Sequence, residues 1–357
     1  MKLEGICEGA VYASGCRSLY TEQNHLDFRQ CSRLPSTVPQ EQSFQRFLQT
    51  NCLTKAVLTR LFGSFPTVNI WPVDTNQIYG SRGRSVFRSR DAGETWDTIH
   101  QLPPSSGPMG ILPTGFYATD DTLLLGEYPL DGTTEPRLLE SADGGDSWTT
   151  IAIPDARHIH AVTVDPFTGD RWITTGDSDE ESMIARVTDT GLDIVGTGSQ
   201  LWRAVDLVFT PNAVLWGMDC PYVEKNRIVK IDRDQIGTEN PSVETLHTVS
   251  SPVYFSATRN IDGEQHVFFS TAIEPATTPE HSAHILHSSS VDGFETWTTL
   301  VEHDHSSPPL ASFVNTNAYI FLAAHPERGL FINPYNTDSG HGEIENIPIN
   351  RLQELVN

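Results

Sequence analysis

The sequence predicts an all-β chain folded as one β-propeller of four-stranded blades. Three observations predict it. An eight-residue segment recurs as SRDAGETW (Ser89–Trp96), SADGGDSW (Ser141–Trp148) and SVDGFETW (Ser290–Trp297), with the shared form S-x-D-x-x-x-x-W. Trp96 and Trp148 are 52 residues apart, and Trp148 and Trp297 are 149 apart, which is three steps of about 50. Between the copies, short apolar runs alternate with Asp, Gly, Pro and Ser, as strands and tight turns require.

The elements follow in chain order. AVYASG, SLYTEQ and FRQCSRL supply three strands near the start, and TEQNHLDF among them is a faint copy of the segment with Phe28 in the aromatic slot. Residues 41–62 interrupt the period. Phe44, Phe47, Leu48, Val57, Leu58 and Leu61 give that stretch a helical pattern, so a helical insertion between blades is expected. Units then begin near Val68, Gly115, His158, Arg203, Val253 and Ala311. The unit from His158 reads HIHAVTVD, DRWITTGD, SMIARVTD and LDIVGTG, with a degenerate copy in Asp189, Gly191 and Ile194. Six units plus the first strands suggest seven blades, or six if those strands complete the last unit. Residues 1–357 form one domain on this reading, its ring closed by pairing the two ends of the chain.

SRDAGETW and its relatives resemble the Asp box of the bacterial neuraminidase repeat. The resemblance implies a sialidase-like propeller in which each box forms the hairpin between the third and fourth strands of a blade. The residues suit that place on their own chemistry. Asp accepts backbone N–H bonds inside a turn, Gly tolerates positive φ, and Trp packs over the hairpin. Asp91, Asp143 and Asp292 are therefore structural. The string GEY…RHIH…DP…TTGD…WGMD is also similar to uncharacterised Asp-box proteins labelled glycosyl hydrolases. Sialidases carry an F/Y-R-I-P motif, three arginines, a Tyr–Glu nucleophile pair and an acid/base Asp. The nearest string to that motif here, Phe65-Pro66-Thr67, does not match it, which argues against sialic acid as substrate.

Composition narrows the partners. Asp and Glu total 46 against 23 Lys and Arg, for a net charge of −23. Only Lys2, Lys55, Lys225 and Lys230 are lysines. Such a surface suits very high salt, where screening relieves self-repulsion. It disfavours a nucleic-acid partner, which needs a basic footprint. Five cysteines without a C-x-x-C pair argue against a zinc scaffold or disulfide framework. No apolar run reaches 18 residues, so no membrane insertion is expected. No basic leader precedes an apolar stretch, so the expected location is cytoplasmic, or a virus particle.

A blade is a meander, so its turns alternate between two faces. The face opposite the boxes receives the second-to-third turns and the residues leading into each first strand. The ends of the second strands give Arg82 and Arg84, Glu127 and Tyr128, Asp177 and Asp179, Asp219, Glu274 and His325. The residues leading into first strands give His158, His160 and Arg203. Glycoside hydrolysis needs two carboxyl groups in opposite protonation states, and Glu127, Asp177, Asp219 and Glu274 form the candidate catalytic pool. Tyr128, His158, His160 and Arg203 are candidate substrate-binding residues, Arg203 as a clamp for an anionic sugar. His158-x-His160 with nearby carboxylates can hold a divalent metal ion, although the local sequence does not demand one. Each group has a plainer reading, as a strand cap, a turn residue or a partner in a structural ion pair. Asp165, followed by Pro166, is expected to be a turn residue.

The leading functional expectation is a carbohydrate-active enzyme of the glycoside hydrolase kind. The alternatives are a non-catalytic glycan-binding or assembly module on a cell surface or virion, stacking sugar on Trp71, Trp172, Trp202 or Trp216, and a polysaccharide lyase with a histidine base. The charge makes its own prediction. The thermal unfolding midpoint should rise strongly as KCl increases from about 0.1 M to 3 M, over which the screening length falls from about 10 Å to below 3 Å. A flat or falling midpoint would remove the high-salt reading.

Overall fold

A computed structural model describes residues 1–24, 26–35, 68–107, 109–238, 241–275, 277, 280–306 and 316–354. The expected insertion at 41–62 lies outside the described residues. Seven antiparallel sheets follow one another along the chain. The first holds β1 (Lys2–Cys7), β2 (Ala10–Gly15), β3 (Ser18–Asn24) and β4 (Asp27–Arg33). The second holds β5 (Val68–Pro72), β6 (Ile78–Arg82), β7 (Ser85–Ser89) and β8 (Asp97–Gln101). The third holds β9 (Phe116–Ala118), β10 (Leu123–Gly126), β11 (Leu138–Ser141) and β12 (Thr149–Ala152). The fourth holds β13 (His158–Val164), β14 (Arg171–Gly176), β15 (Met183–Thr188) and β16 (Gly191–Thr197). The fifth holds β17 (Val208–Phe209), β18 (Ala213–Gly217), β19 (Asn226–Asp232) and β20 (Val243–Val249). The sixth holds β21 (Val253–Ile261), β22 (Glu264–Thr271), β23 (Ser282–Ser289) and β24 (Thr298–Asp304). The seventh has three strands among the described residues, β25 (Tyr319–His325), β26 (Gly329–Tyr335) and β27 (Glu345–Pro348), and a short helix α1 (Ile349–Gln353) follows. The chain is thus a seven-bladed β-propeller.

The first strand of each blade lines the centre. β1 packs against β5 and β25, β5 against β9, β9 against β13, β17 against β21, and β21 against β25. Apolar clusters fill the seams between blades. Tyr12 and Leu19 of the first blade meet Ile70, Ile78 and Phe87 of the second, and Trp172 and Ile184 of the fourth meet Trp216 and Val229 of the fifth.

All five copies of the repeated segment, faint ones included, occupy third-to-fourth turns. Ser89 Oγ donates to Asp91 Oδ1 at 2.8 Å, and Asp91 accepts from Thr95 N at 2.8 Å. The second copy repeats this with Ser141, Asp143 and Ser147 at 2.8 and 2.9 Å. In the third, Asp292 accepts from Thr296 N at 2.9 Å. These bonds hold all three carboxyls below the usual range, the Thr95 and Ser147 hydroxyls contributing most for Asp91 and Asp143. At Asp292 slight burial acts the other way, and the Thr296 bonds outweigh it. The tryptophans reach back to the preceding blade. Trp96 Nε1 donates to Ser32 Oγ at 2.9 Å, Trp148 Nε1 to Ile99 O at 3.1 Å, and Trp297 stacks on His247 with centroids 5.5 Å apart. The box therefore shapes a turn and fastens it to its neighbour.

Three expectations about the ends are corrected. The start of the chain supplies four strands rather than three, because Lys2–Cys7 pairs with Ala10–Gly15. Among the described residues the two ends do not pair into one sheet: β1 belongs to the first and β27 to the seventh. The seam is packed instead, with Leu3, Val11 and Ala13 against Tyr319, Phe321 and Phe331. Leu3 N donates to Asn333 Oδ1 at 2.9 Å, and the terminal ammonium to Gly342 O at 2.6 Å. The first strand of the last unit is Tyr319–His325, so His325 ends a first strand on the box face. Its Nε2 contacts Gly9 O at 3.0 Å there, far from the opposite mouth.

Neighbouring blades approach closely at Gly217, the last residue of β18. A Cβ there would lie 2.4 Å from Val253 Cβ on the next blade. Gly217→Ala should therefore destabilise by about 1–3 kcal/mol through overpacking. Urea unfolding would show this as a lower midpoint with an unchanged slope; an unchanged midpoint would mean that the blades can separate without cost.

Candidate functional site

The second strands β10, β14 and β18 each end on glycine, and the chain then turns across the mouth of the ring. There it is tied to the next blade at four junctions. Glu127 O accepts from Ile159 N at 3.1 Å, Met218 O from Val253 N at 2.9 Å, and Ile273 O from Ala318 N at 2.9 Å. At the fourth, Arg203 Nη1 supplies the donor to Asp177 O at 2.9 Å.

Extended chain alternates its side chains, so the residue after each of the three carbonyls tied by a backbone donor points to the channel. Those residues are Tyr128, Asp219 and Glu274. They line a cavity of about 250 Å³ with Asn69, His160, Arg203, Tyr254 and Asn317. Phe255, Tyr319, Phe321, Met109 and Leu112 form its apolar wall. Five of the eight predicted residues thus share one pocket: Asp219, Glu274, Tyr128, His160 and Arg203.

Glu127, Asp177 and His158 do not line it. Glu127 is a correction, since it stands one residue early in the alternation. Its buried carboxylate takes Arg137 Nε at 2.9 Å and Nη2 at 2.5 Å, a bidentate structural pair. Asp177 stands at the same early position and faces a cluster behind the pocket wall. Its carboxylate meets Arg157 Nη1 at 3.0 Å, Arg203 Nη2 at 3.2 Å, His158 Nε2 at 3.3 Å and His160 Nε2 at 3.7 Å. Tyr128 covers His158, with ring centroids 3.8 Å apart. Burial pushes the Asp177 carboxyl up, but its contacts with both histidines, effective where Nε2 carries a proton, and the charge of Arg203 prevail and hold it well below the usual range. Ligand atoms of His158, His160 and Asp177 all lie within 4.8 Å of one another, so these three could hold a metal ion.

Asp219 has the opposite environment. Arg203 Nε lies 3.3 Å from Oδ2, and Oδ1 is buried without a hydrogen-bond partner among the described residues. Burial pushes its carboxyl up to about 7, with Glu274 and Asp177 adding repulsion and Arg203 only partly offsetting them. Nearby, Tyr254 Oη donates to Glu274 Oε1 at 2.7 Å and accepts from Asn317 Nδ2 at 2.9 Å. Burial and the Glu274 charge hold the Tyr254 hydroxyl well above its ordinary range. Arg203 already spans Asp177 and Asp219, so its first role is to hold both carboxyls rather than to clamp an anionic sugar.

Tyr254, Asn69 and Asn317 were missed. For Asn69 and Tyr254 the signal was available, because the rule that selected His158 and His160 at the start of a first strand also selects the residues beside Val68 and Val253; Asn317 lay beyond the unit start placed near Ala311. Trp172, Trp202 and Trp216 are corrected from sugar platforms to core residues, each under a tenth exposed. Trp71 donates to Pro113 O at 2.9 Å. Asp165 is a turn residue as expected, accepting Phe167 N and paired with Arg233.

No protein-family model and no curated protein matches the chain. Among solved structures, YCF48 from Cyanidioschyzon merolae is similar at a TM-score of 0.54 and 11% identity, covering 94% of this chain and 93% of that one. YCF48 bound to D1 peptide gives 0.49 and 12%, covering 94% and 91%. A chain of a nidogen/laminin complex gives 0.44 and 14%, covering 72% and 85%. At these identities the likeness is one of fold. No described helix is long and apolar enough to cross a membrane.

Asp219 makes stability depend on pH. Its unfolded value is roughly 3.9, below its folded value, so between the two the unfolded chain releases a proton that the folded chain keeps. Stability should fall as pH rises from about 4 to 7, by up to roughly 1.4 kcal/mol per unit. Asp206, pushed up to about 6 by burial, adds the same sign over the lower part of that window. Asp219→Asn should flatten the upper part, read by urea unfolding across pH; an unaltered profile would place Asp219 in water.

Proposed function

We propose that the chain is a carbohydrate-active enzyme of the glycoside hydrolase kind, working on one sugar ring at the channel mouth. The supporting observation is the pair of carboxyls in one buried pocket, Asp219 pushed up to about 7 and Glu274 accepting the Tyr254 hydroxyl. That is the division of labour glycoside cleavage needs: a protonated acid beside a charged carboxylate. Asp219 gives its proton to the leaving oxygen as the glycosidic bond breaks. Glu274 takes the Tyr254 proton as the tyrosine oxygen attacks the anomeric carbon. Water then cleaves the sugar–tyrosine bond, with Asp219 as base and Glu274 returning the proton to Tyr254.

The tyrosine–glutamate pair fits the resemblance to sialidases, but the pocket does not favour a carboxylated sugar. Among the described residues Arg203 is the one arginine lining it, and that guanidinium is engaged by Asp177 and Asp219. A neutral sugar fits better, with its polar edge on Asn69, Asn317 and His160 and its apolar face on Phe255 and Phe321. The volume is below the roughly 300–1,000 Å³ of drug-sized sites, consistent with one ring. The apolar wall also suits the alternative, a glycan-binding module without turnover.

Hydrolysis of a panel of neutral aryl glycosides separates the two. Asp219→Asn, Glu274→Gln and Tyr254→Phe should each lower kcat by about 10²–10⁴-fold, while Glu127→Gln leaves it unchanged in folded protein. Binding of a glycan without turnover, with graded losses of affinity in the same variants, would replace the enzyme with the binding module.

A further inference from the structure

We infer that His158, His160 and Asp177 bind one divalent first-row transition ion in the wall behind the mouth pocket. The inference rests on hydrogen-bond bookkeeping at the two imidazoles and does not depend on the hydrolase reading. His158 Nδ1 lies 3.3 Å from Pro129 O, and His160 Nδ1 lies 3.2 Å from Ala204 O. A carbonyl oxygen only accepts, so each Nδ1 carries the hydrogen. In the neutral ring each Nε2 is then a bare lone pair. Both lone pairs face the carboxylate of Asp177, at 3.3 and 3.7 Å. The Asp177 carboxylate also takes Arg157 Nη1 at 3.0 Å and Arg203 Nη2 at 3.2 Å, while His158 Nε2 is buried without a hydrogen-bond partner among the described residues.

Such a cluster needs positive charge at its centre. Two extra protons, one on each Nε2, would supply it. One divalent ion supplies the same charge with better directionality, since all three ligand atoms already lie within 4.8 Å of one another. Arg157 and Arg203 repel two added protons and one divalent ion alike, so net charge does not choose between them. The surroundings are those of a metal site. Histidine ligands commonly donate their second N–H to a backbone carbonyl, which fixes the tautomer, and a ligating carboxylate is itself hydrogen-bonded. Two imidazoles and one carboxylate suit Zn²⁺, Co²⁺ or Fe²⁺, and three protein ligands leave coordination positions open. His160 also lines the mouth pocket, so the ion would sit one side chain away from it.

The experiment uses the full chain, freed of metal by a chelator and titrated with Zn²⁺ or Co²⁺ alone near neutral pH. Calorimetry should give one ion per chain, and bound Co²⁺ should show visible absorption of a nitrogen–oxygen site. His158→Gln and His160→Gln should each weaken binding at least tenfold, by analogy with the roughly 10–100-fold cost of losing supporting groups. Imidazole NMR of the unaltered protein guards against variants that fail to fold. Zn²⁺ should shift both Nε2 resonances while both Nδ1 hydrogens persist. Absence of saturable binding, binding indifferent to both variants, or Nε2 protons that ignore Zn²⁺ would each overturn the site. No outcome requires a sugar substrate, so failure of the hydrolase reading would be distinguishable.

Discussion

The mouth of this propeller depends on one repeated interaction, the carbonyl after the second strand tied, in four blades, to the start of the next blade. Glu127 O, Met218 O and Ile273 O take backbone donors, and Asp177 O takes the Arg203 guanidinium. A polar group buried without such a partner would cost about 1–3 kcal/mol, so the tie is strongly specified. It also requires close approach, which is why β10 and β18 end on glycine. At Gly126 a Cβ would lie 2.6 Å from Ile159, as at Gly217 it would strike Val253. The next side chain has no direction left except inward, and Tyr128, Asp219 and Glu274 reach one cavity from three blades.

That constraint explains how far the sequence could be read. Turn order within a meander sorted residues correctly by face in most blades, because it follows from chain direction alone. It did not resolve the alternation one residue deeper. GEY and WGMD look alike as strings, but Glu127 follows its glycine directly whereas Asp219 follows one residue later. Extended backbone turns that single step into opposite directions, so Glu127 pairs with Arg137 and Asp219 enters the pocket. In the last blade, a strand start placed near Ala311 rather than at Tyr319 sent His325 to the wrong face. Tyr254 stands at the start of a first strand, where the same rule would have found it, and it bonds Glu274 just past the end of the adjacent second strand.

The two acids that touch Arg203 show how placement divides their chemistry. Asp177 gathers two arginines and two imidazoles and stays ionised. Asp219 shares only the Nε of Arg203, keeps one oxygen unpartnered and holds its proton to near neutrality. The same guanidinium serves both, so the contrast comes from the number of donors and from burial. Deeper in the channel, Lys2 and Glu4 form a second buried pair at 2.9 Å, with Asp206 nearby. There burial lowers Lys2 and raises Glu4, each partly offset by the other. The channel therefore carries buried ion pairs at two depths beside its apolar wall, while apolar clusters fill the seams around it.

Repetition and chemistry occupy opposite faces for a physical reason. Every blade must make the same turn and fasten to the same kind of neighbour, so the residues that do this recur: Asp91, Asp143 and Asp292 with their tryptophans. A pocket on the ring axis needs the reverse. Seven blades converge there, and seven copies of one side chain would put like charges or like bulk into a single small volume. Each blade must then contribute something different, here a tyrosine, a histidine, an arginine and two carboxyls. The features that make the fold legible are accordingly those that avoid the site, and the residues that define the site are those in which the blades differ at equivalent positions.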